Sequence, residues 1–333
     1  MNDKIAGKFR GTGVKAGLMY GMAEFYGGGA FVIINTFFLV FLTKALGMPA
    51  ALAGAIPMVG KVWDAITDPM MGNITDRTSS RFGPKRLYIL IGGILSAIAF
   101  VSLWTTIPSR STTVQFIYYI VMYCLFSTCF TIIMVPYNGL LPDMVDSYDI
   151  RSKFSSLRMI WSTVGAILAG LVPTLMIKDT LNTSMYLKVA IIFGILFGFA
   201  AVVTFIGTWE KIKPPVKTKL RDSFSEASSV FKSRSFKIFI GIYLSGQCAM
   251  DFVSGMAIYY VDDVLGGYDK GYLTMLMGVL LSSQLVGMLI FTPIMTRTSK
   301  RTTILIGAPI RLASTLGLLA FSYAGAPIGS SLQ

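Results

Sequence analysis

The chain contains no histidine. That removes imidazole proton relays, imidazole metal sites and most acid–base designs that work near neutral pH. Cysteine is nearly as scarce: Cys124 and Cys129 fall in one apolar run and Cys248 in another, with no CxxC spacing. They read as packing residues rather than metal ligands or a redox pair. There is no GxSxG nucleophile elbow, so an enzyme is not expected. Charged residues make up only 14% of the chain, against roughly 25% in soluble domains. Acidic residues are the scarcer sign, 16 against 29 Lys and Arg, which leaves a formal charge of +13.

What fills the chain instead is hydrophobic, 54% of all residues. Mostly apolar runs of about 20 residues recur along its length, each enough to cross a bilayer. Nine are expected, at roughly 17–42, 50–75, 87–108, 113–138, 158–178, 185–208, 236–261, 272–295 and 302–323. They are too long and too uniformly apolar for barrel strands, so they are read as helices. The first run is also too long for a signal-peptide core and lacks a cleavage pattern. The excess positive charge is not spread evenly. With residues within a few positions of a span end counted to the adjoining loop, only Lys44, Arg110, Lys178, Lys188 and Lys270 fall in the odd-numbered loops, and only Lys61 and Arg311 deep inside spans; the rest lie in the amino-terminal tail and the even-numbered loops. That asymmetry predicts a cytoplasmic amino terminus in a multi-pass cell-membrane protein, and argues against nucleic acid as the partner of the basic charge.

The second run is interrupted by Lys61, Asp64 and Asp68. Spacings of three and four residues put all three on one helix face. An ionisable residue at membrane depth costs several kcal/mol and marks a cavity or ion path by default. Asp64 and Asp68 are one turn, about 6 Å, apart along the axis, which suits one small cation or one shared proton. A structural ion pair with Lys61 is the alternative.

A basic linker carrying Pro214 and Pro215, residues 209–235, separates a six-helix stretch, 1–208, from a partial three-helix stretch, 236–333. Thr75-Asp76-Arg77-Thr78-Ser79 is echoed by Met295-Thr296-Arg297-Thr298-Ser299, each in the loop after the second span of its half. Parallel six-helix repeats are the plan of major facilitator transporters. The chain therefore reads as all-α, a major facilitator-type bundle with an incomplete second half, and as a fragment or an early stop.

Asp64 through Gly72, then Asp76-Arg77-Thr78 and Arg81-Phe82-Gly83, resemble the glycoside–pentoside–hexuronide:cation symporter family. Val135-Pro136-Tyr137-Asn138-Gly139, followed by Arg151 and Arg158, is a second match. The resemblance implies cation-coupled symport by alternating access, with no cofactor beyond the coupling ion, Na⁺ or H⁺. It implies a cation site at Asp64 and Asp68 with Thr67 and Thr131, and Lys61 as the charge that offsets the empty site. It places Arg158 near a sugar and Arg151 in a gating loop. Where melibiose-transporting members carry sugar-binding oxygens, this chain has Gly28 and Met134.

The remaining candidates for the substrate site leave two readings each. Glu24 contacts substrate or bridges helices. Asp251 lines the cavity or pairs with Arg311. Arg158 binds sugar or anchors at the headgroups, and Tyr137 and Asn138 bracket a sugar or belong to an interfacial belt. Asp76, Arg77 and Arg81, with Lys85 and Arg86, are expected to form a conformational latch. The partners expected are a small glycoside or uronide and the bilayer, for a monomeric transporter. A lysolipid symporter of the same family and a truncated, non-transporting membrane protein are the alternatives.

Overall fold

The structure is a computed structural model that describes residues 5–6, 11, 13–109, 111–211 and 233–259, with scattered helical positions between 275 and 316. The chain divides into two compact units, Met1–Met256 and Ala257–Gln333. Most of the basic linker and most of the last two expected spans lie outside the described residues, as does Arg311.

Helices dominate the first unit. α1 (Val14–Gly21) and α2 (Ala23–Ile33) run on through two π-helical turns, Ile34–Phe38 and Phe41–Ala45. Gly47, at φ +70°, then turns the chain, and Pro49 precedes α3 (Ala50–Arg77). α4 (Pro84–Ser102) starts with proline in its first turn, where the missing N–H costs nothing. α5 (Thr112–Met144) is followed by α6 (Tyr148–Met176) and α7 (Thr183–Gly207), whose first turn is capped by the Asn182 side chain on the Ser184 amide. α8 (Arg234–Tyr259) is the last whole helix described. One two-residue bridge, β1 (Ile5–Ala6) with antiparallel β2 (Glu210–Lys211), joins the amino-terminal segment to the exit of α7.

Two helices are longer than their apolar runs. α5 continues through Pro136 and Pro142, and α6 starts at Tyr148, so Arg151 sits in the first turn of a helix rather than in a loop. Asp149 in that turn complements the positive end of the helix. Proline inside α3, α5 and α6 is of the kind membrane helices tolerate, because neighbours re-satisfy the freed carbonyls.

Among the described residues five helical stretches are long and apolar enough to cross a membrane: Val14–Phe38, Pro84–Ser102, Thr112–Met144, Tyr148–Met176 and Thr183–Gly207. α3 is as long, but Lys61, Asp64 and Asp68 interrupt its apolar run. α2 packs on α6, α4 on both α5 and α7, and α3 on α5. Small residues set those approaches. A Cβ on Gly165 would lie 2.4 Å from Phe25 O, and one on Gly93 2.1 Å from Ala201 Cβ. Without a strong hydrophobic drive between helices in lipid, such close backbone contact is a main source of association.

Candidate cation and substrate site

α3 and α5 lie side by side in a constant register. Gly60 faces Tyr123, Asp64 faces Ser127, Asp68 faces Thr131 and Gly72 faces Val135. Each rung is four residues beyond the last on both helices, so the helices run parallel and the ridges stay in phase over three turns. The outer rungs are close packing. A Cβ on Gly60 would meet the Tyr123 ring at 2.2 and 2.3 Å. The inner rungs are hydrogen bonds. Ser127 Oγ donates to Asp64 Oδ1, and Thr131 Oγ1 donates to Asp68 Oδ1 at 2.7 Å. Ser127 and Thr131 are 1% and 3% exposed, Asp64 is half-buried and Asp68 exposed.

Two carboxylates one turn apart repel by about 3 kcal/mol at an effective dielectric of about 20. Each is steadied by one hydroxyl, and Ser and Thr oxygens also accept, so a hard cation would find carboxylate and hydroxyl oxygens together. Thr67 takes no part in either rung; its hydroxyl donates to Trp63 O, one turn back on α3, at 3.2 Å. Trp63 Nε1 instead links α3 to Thr128 at 2.8 Å. Lys61 lies over the Phe31 ring, 5.2 Å from its centre, and makes no ion pair with Asp64 or Asp68.

A second polar cluster joins α2, α5 and α6. Arg158 donates through Nε and Nη2 to Glu24 Oε1, at 3.1 and 2.8 Å, and through Nη2 to Asn138 Oδ1. Its guanidinium lies over the Tyr137 ring at 4.7 Å, and Tyr137 packs against Tyr20 with ring centres 4.9 Å apart. Met134 borders the cluster through Gly27, where an added Cβ would lie 2.7 Å from Met134 Cε and 2.8 Å from Glu24 Oε2. Gly28 is a packing glycine. A Cβ there would lie 2.6 Å from both the carbonyl oxygen and the hydroxyl of Ser162 on α6.

Asp251 on α8 accepts from Asn35 Nδ2 at 3.0 Å, within the first π-helical turn, and from Gln247 at 3.4 Å. π-Helical turns inside helices are frequent at functional sites.

Of the residues expected to form a latch, Lys85 and Arg86 reach partners that were not named from sequence, Asp143 and Glu210. Asp76 and Arg77 are exposed at the end of α3, and Arg81 stacks on Phe82. Lys85 pairs with Asp143 and donates to Gly139 O at 2.8 Å, so it ties α4 to α5. Arg86 reaches Phe82 O at 2.9 Å, Phe205 O at 2.6 Å and Thr208 Oγ1 at 3.3 Å. Arg151 donates to Val145 O at 2.6 Å. Beneath them Glu210, 1% exposed, accepts from the Lys85 and Arg86 amides at 3.0 and 3.4 Å. Burial pushes its carboxyl up to about 7; the two amides and the Lys85 charge oppose that, and Asp143 adds to it.

The sequence pattern of the family described as MFS/sugar transport protein matches residues 19–329. The chain belongs to this family. The MFS/sugar transport assignment makes it a multi-pass membrane protein of a transporter family rather than an enzyme, and agrees with the glycoside–pentoside–hexuronide resemblance. Among its relatives, an uncharacterized symporter of Synechocystis sp. is 38% identical over 46% of this chain and 29% of its own length. The isoprimeverose transporter of Lactiplantibacillus pentosus is 24% identical over 61% of this chain and 44% of its own. The sodium-dependent lysophosphatidylcholine symporter 1 of Xenopus tropicalis is 29% identical over 40% of this chain and 26% of its own. The matches span from 29% to 66% of the length of three curated relatives, so the chain covers only part of each.

Sequence reasoning missed Ser127 and Glu210 in this MFS/sugar transport chain. A signal for Ser127 was present: Ser127 and Thr131 repeat on α5 the four-residue step of Asp64 and Asp68 on α3. Glu210 carried none, because a lone glutamate beside a basic linker looks solvated.

Proposed function

We propose that this protein works as a cation-coupled symporter of a sugar or glycoside, by alternating access. The observation that carries the reading is the pair of carboxylate–hydroxyl rungs, Asp64–Ser127 and Asp68–Thr131, within an apolar bundle. A bound Na⁺ or H⁺ cancels part of the carboxylate charge and lowers the cost of closing the cavity around it. Substrate binds beside Glu24, Tyr137, Asn138 and Arg158. Each ligand favours the same closable state, so their affinities rise together. Lys61, near Phe31, is free to move toward the aspartates when no cation is bound, and the Lys85–Asp143 and Glu210 contacts act as the latch, with Arg81 and Arg151 at its edge. In this reading residues 1–208 form one six-helix half, 209–235 the linker and 236–333 part of the second half. The amino terminus is cytoplasmic, the membrane is the cell membrane, and the working unit is a monomer.

The name of the isoprimeverose transporter supports a sugar cargo. A lysolipid cargo is the second reading. It is favoured by the likeness to the lysophosphatidylcholine symporter and by the lack of side-chain oxygen at Gly28 and Met134. Uptake of labelled glycosides, uronides and lysolipids into proteoliposomes, with and without a sodium gradient, separates the two. Asp64→Asn is expected to abolish the cation-dependent part of uptake. Uptake that stays cation-stimulated in that variant would overturn the site assignment.

A further inference from the structure

The charge balance around Arg158 bears on which cargo the site accepts, and the inference rests on the sugar-symporter reading above. An arginine fork is the usual receptor for a carboxylate, because its parallel N–H groups match two carboxylate oxygens. Here the fork is filled from within the molecule. Nε and Nη2 both point to Glu24 Oε1, and Nη2 also serves Asn138. The pair is partly open to a ligand, with side-chain exposures of 23% for Arg158 and 17% for Glu24. Its sum of charge is zero, and Met134, Gly27, Tyr20 and Tyr137 around it add none. The buried Tyr20 and Tyr137 hydroxyls lie close to each other and to Arg158 without a hydrogen bond of ordinary geometry, and the Trp161 indole N–H has no partner among the described residues. Unpaired neutral groups of this kind suit hydroxyls.

We propose that Glu24 is a specificity-determining residue: by occupying Arg158 it makes the site accept uncharged glycosides and reject hexuronides. A uronate entering the cluster would have to displace Glu24, which leaves two carboxylates competing for one guanidinium. That is rejection by an unpaired like charge rather than by shape.

The test is equilibrium binding to the purified chain in proteoliposomes near neutral pH, with nitrophenyl glucoside, nitrophenyl glucuronide and lysophosphatidylcholine as the three probes. Wild-type protein is expected to hold the glucoside about tenfold or more tightly than the glucuronide. Glu24→Gln should move that ratio about tenfold toward the glucuronide, equivalent to about 1.4 kcal/mol. Glu24→Asp keeps the charge and should keep the preference. A wild-type preference for glucuronide, or an unmoved ratio in Glu24→Gln, overturns the inference and leaves the symporter reading standing. The wild-type ratio needs no variant, so it stays decisive if Glu24→Gln does not fold. Binding of neither glycoside overturns the sugar reading, and this inference with it.

Discussion

Replacing Glu210 by glutamine should change how the stability of the protein depends on pH. Among the described residues Glu210, 1% exposed, is the least exposed carboxylate. It sits under the start of α4, where Gly83 at φ +93° leaves its Oε2 only 2.4 Å from the place a Cβ would take. Burial raises its carboxyl from the ordinary 4.5 to about 7. Between those values the folded chain keeps a proton that the unfolded chain releases. The contribution is therefore full below pH 4.5 and is lost as pH rises through about 7. The gap, at 1.36 kcal/mol per pH decade, amounts to about 3 kcal/mol. Glutamine copies the protonated acid at every pH, and its carbonyl can still accept from the Lys85 and Arg86 amides. Wild-type and Glu210→Gln proteins should thus melt together near about pH 5 and diverge by several degrees near about pH 8, with the variant more stable. The other charges facing the site, Lys85, Arg86 and Asp143, with the Lys211–Asp146 pair beside them, are common to both proteins and drop out of the difference. The assay is thermal unfolding in detergent, followed by tryptophan fluorescence across pH. Melting temperatures that keep a constant gap at every pH would refute the argument, because they would mean that Glu210 titrates alike in the folded and unfolded chains.

Two further perturbations probe the helix contacts. Ser127→Ala removes a hydroxyl donor from a half-buried carboxylate, which is worth about 1.5–3 kcal/mol, and should lower the melting temperature measurably. A variant that melts with wild type would show that the Asp64–Ser127 rung contributes nothing. Gly28→Asp places a Cβ 2.6 Å from the Ser162 backbone and should cost about 1–3 kcal/mol by overpacking, without a gain in glycoside binding. A stable variant with tighter glycoside binding would show that α2 and α6 can separate at little cost.

Much of the fold was legible because membrane helices announce themselves by length and apolarity, and the first span together with α4, α5, α6 and α7 follows directly from that. Helix ends were less legible. Tyr148 to Leu157 carries Asp149, Arg151 and Lys153, so hydropathy places it outside the span, yet its backbone continues α6. Hydropathy reports where a helix meets lipid, while capping and tertiary packing decide where it stops. The charged residues at the start of α4 illustrate the same limit for side chains. Asp76, Arg77, Arg81, Lys85 and Arg86 stand out in one short stretch, but the buried acids that Lys85 and Arg86 meet, Asp143 and Glu210, come from two other elements. No local pattern ties residue 210 to residue 85.

The α3–α5 ladder lies between these cases. Periodicity alone put Asp64 and Asp68 on one face, since a four-residue step is a property of any helix. It could not say what that face meets, because the offset between partners is set by the loop lengths and by the crossing of the two helices. Gly60 against Tyr123 supplies that missing constraint. Where only a glycine lets the Tyr123 ring approach, the register is fixed, and the next two steps along both helices bring hydroxyls to carboxylates. In this structure the packing of an apolar contact thus determines which oxygens surround the two acids. Substitutions at Gly60 are therefore expected to disturb cation dependence even though the residue bears no ligand atom, and unchanged cation dependence in a folded Gly60→Val protein would break that link.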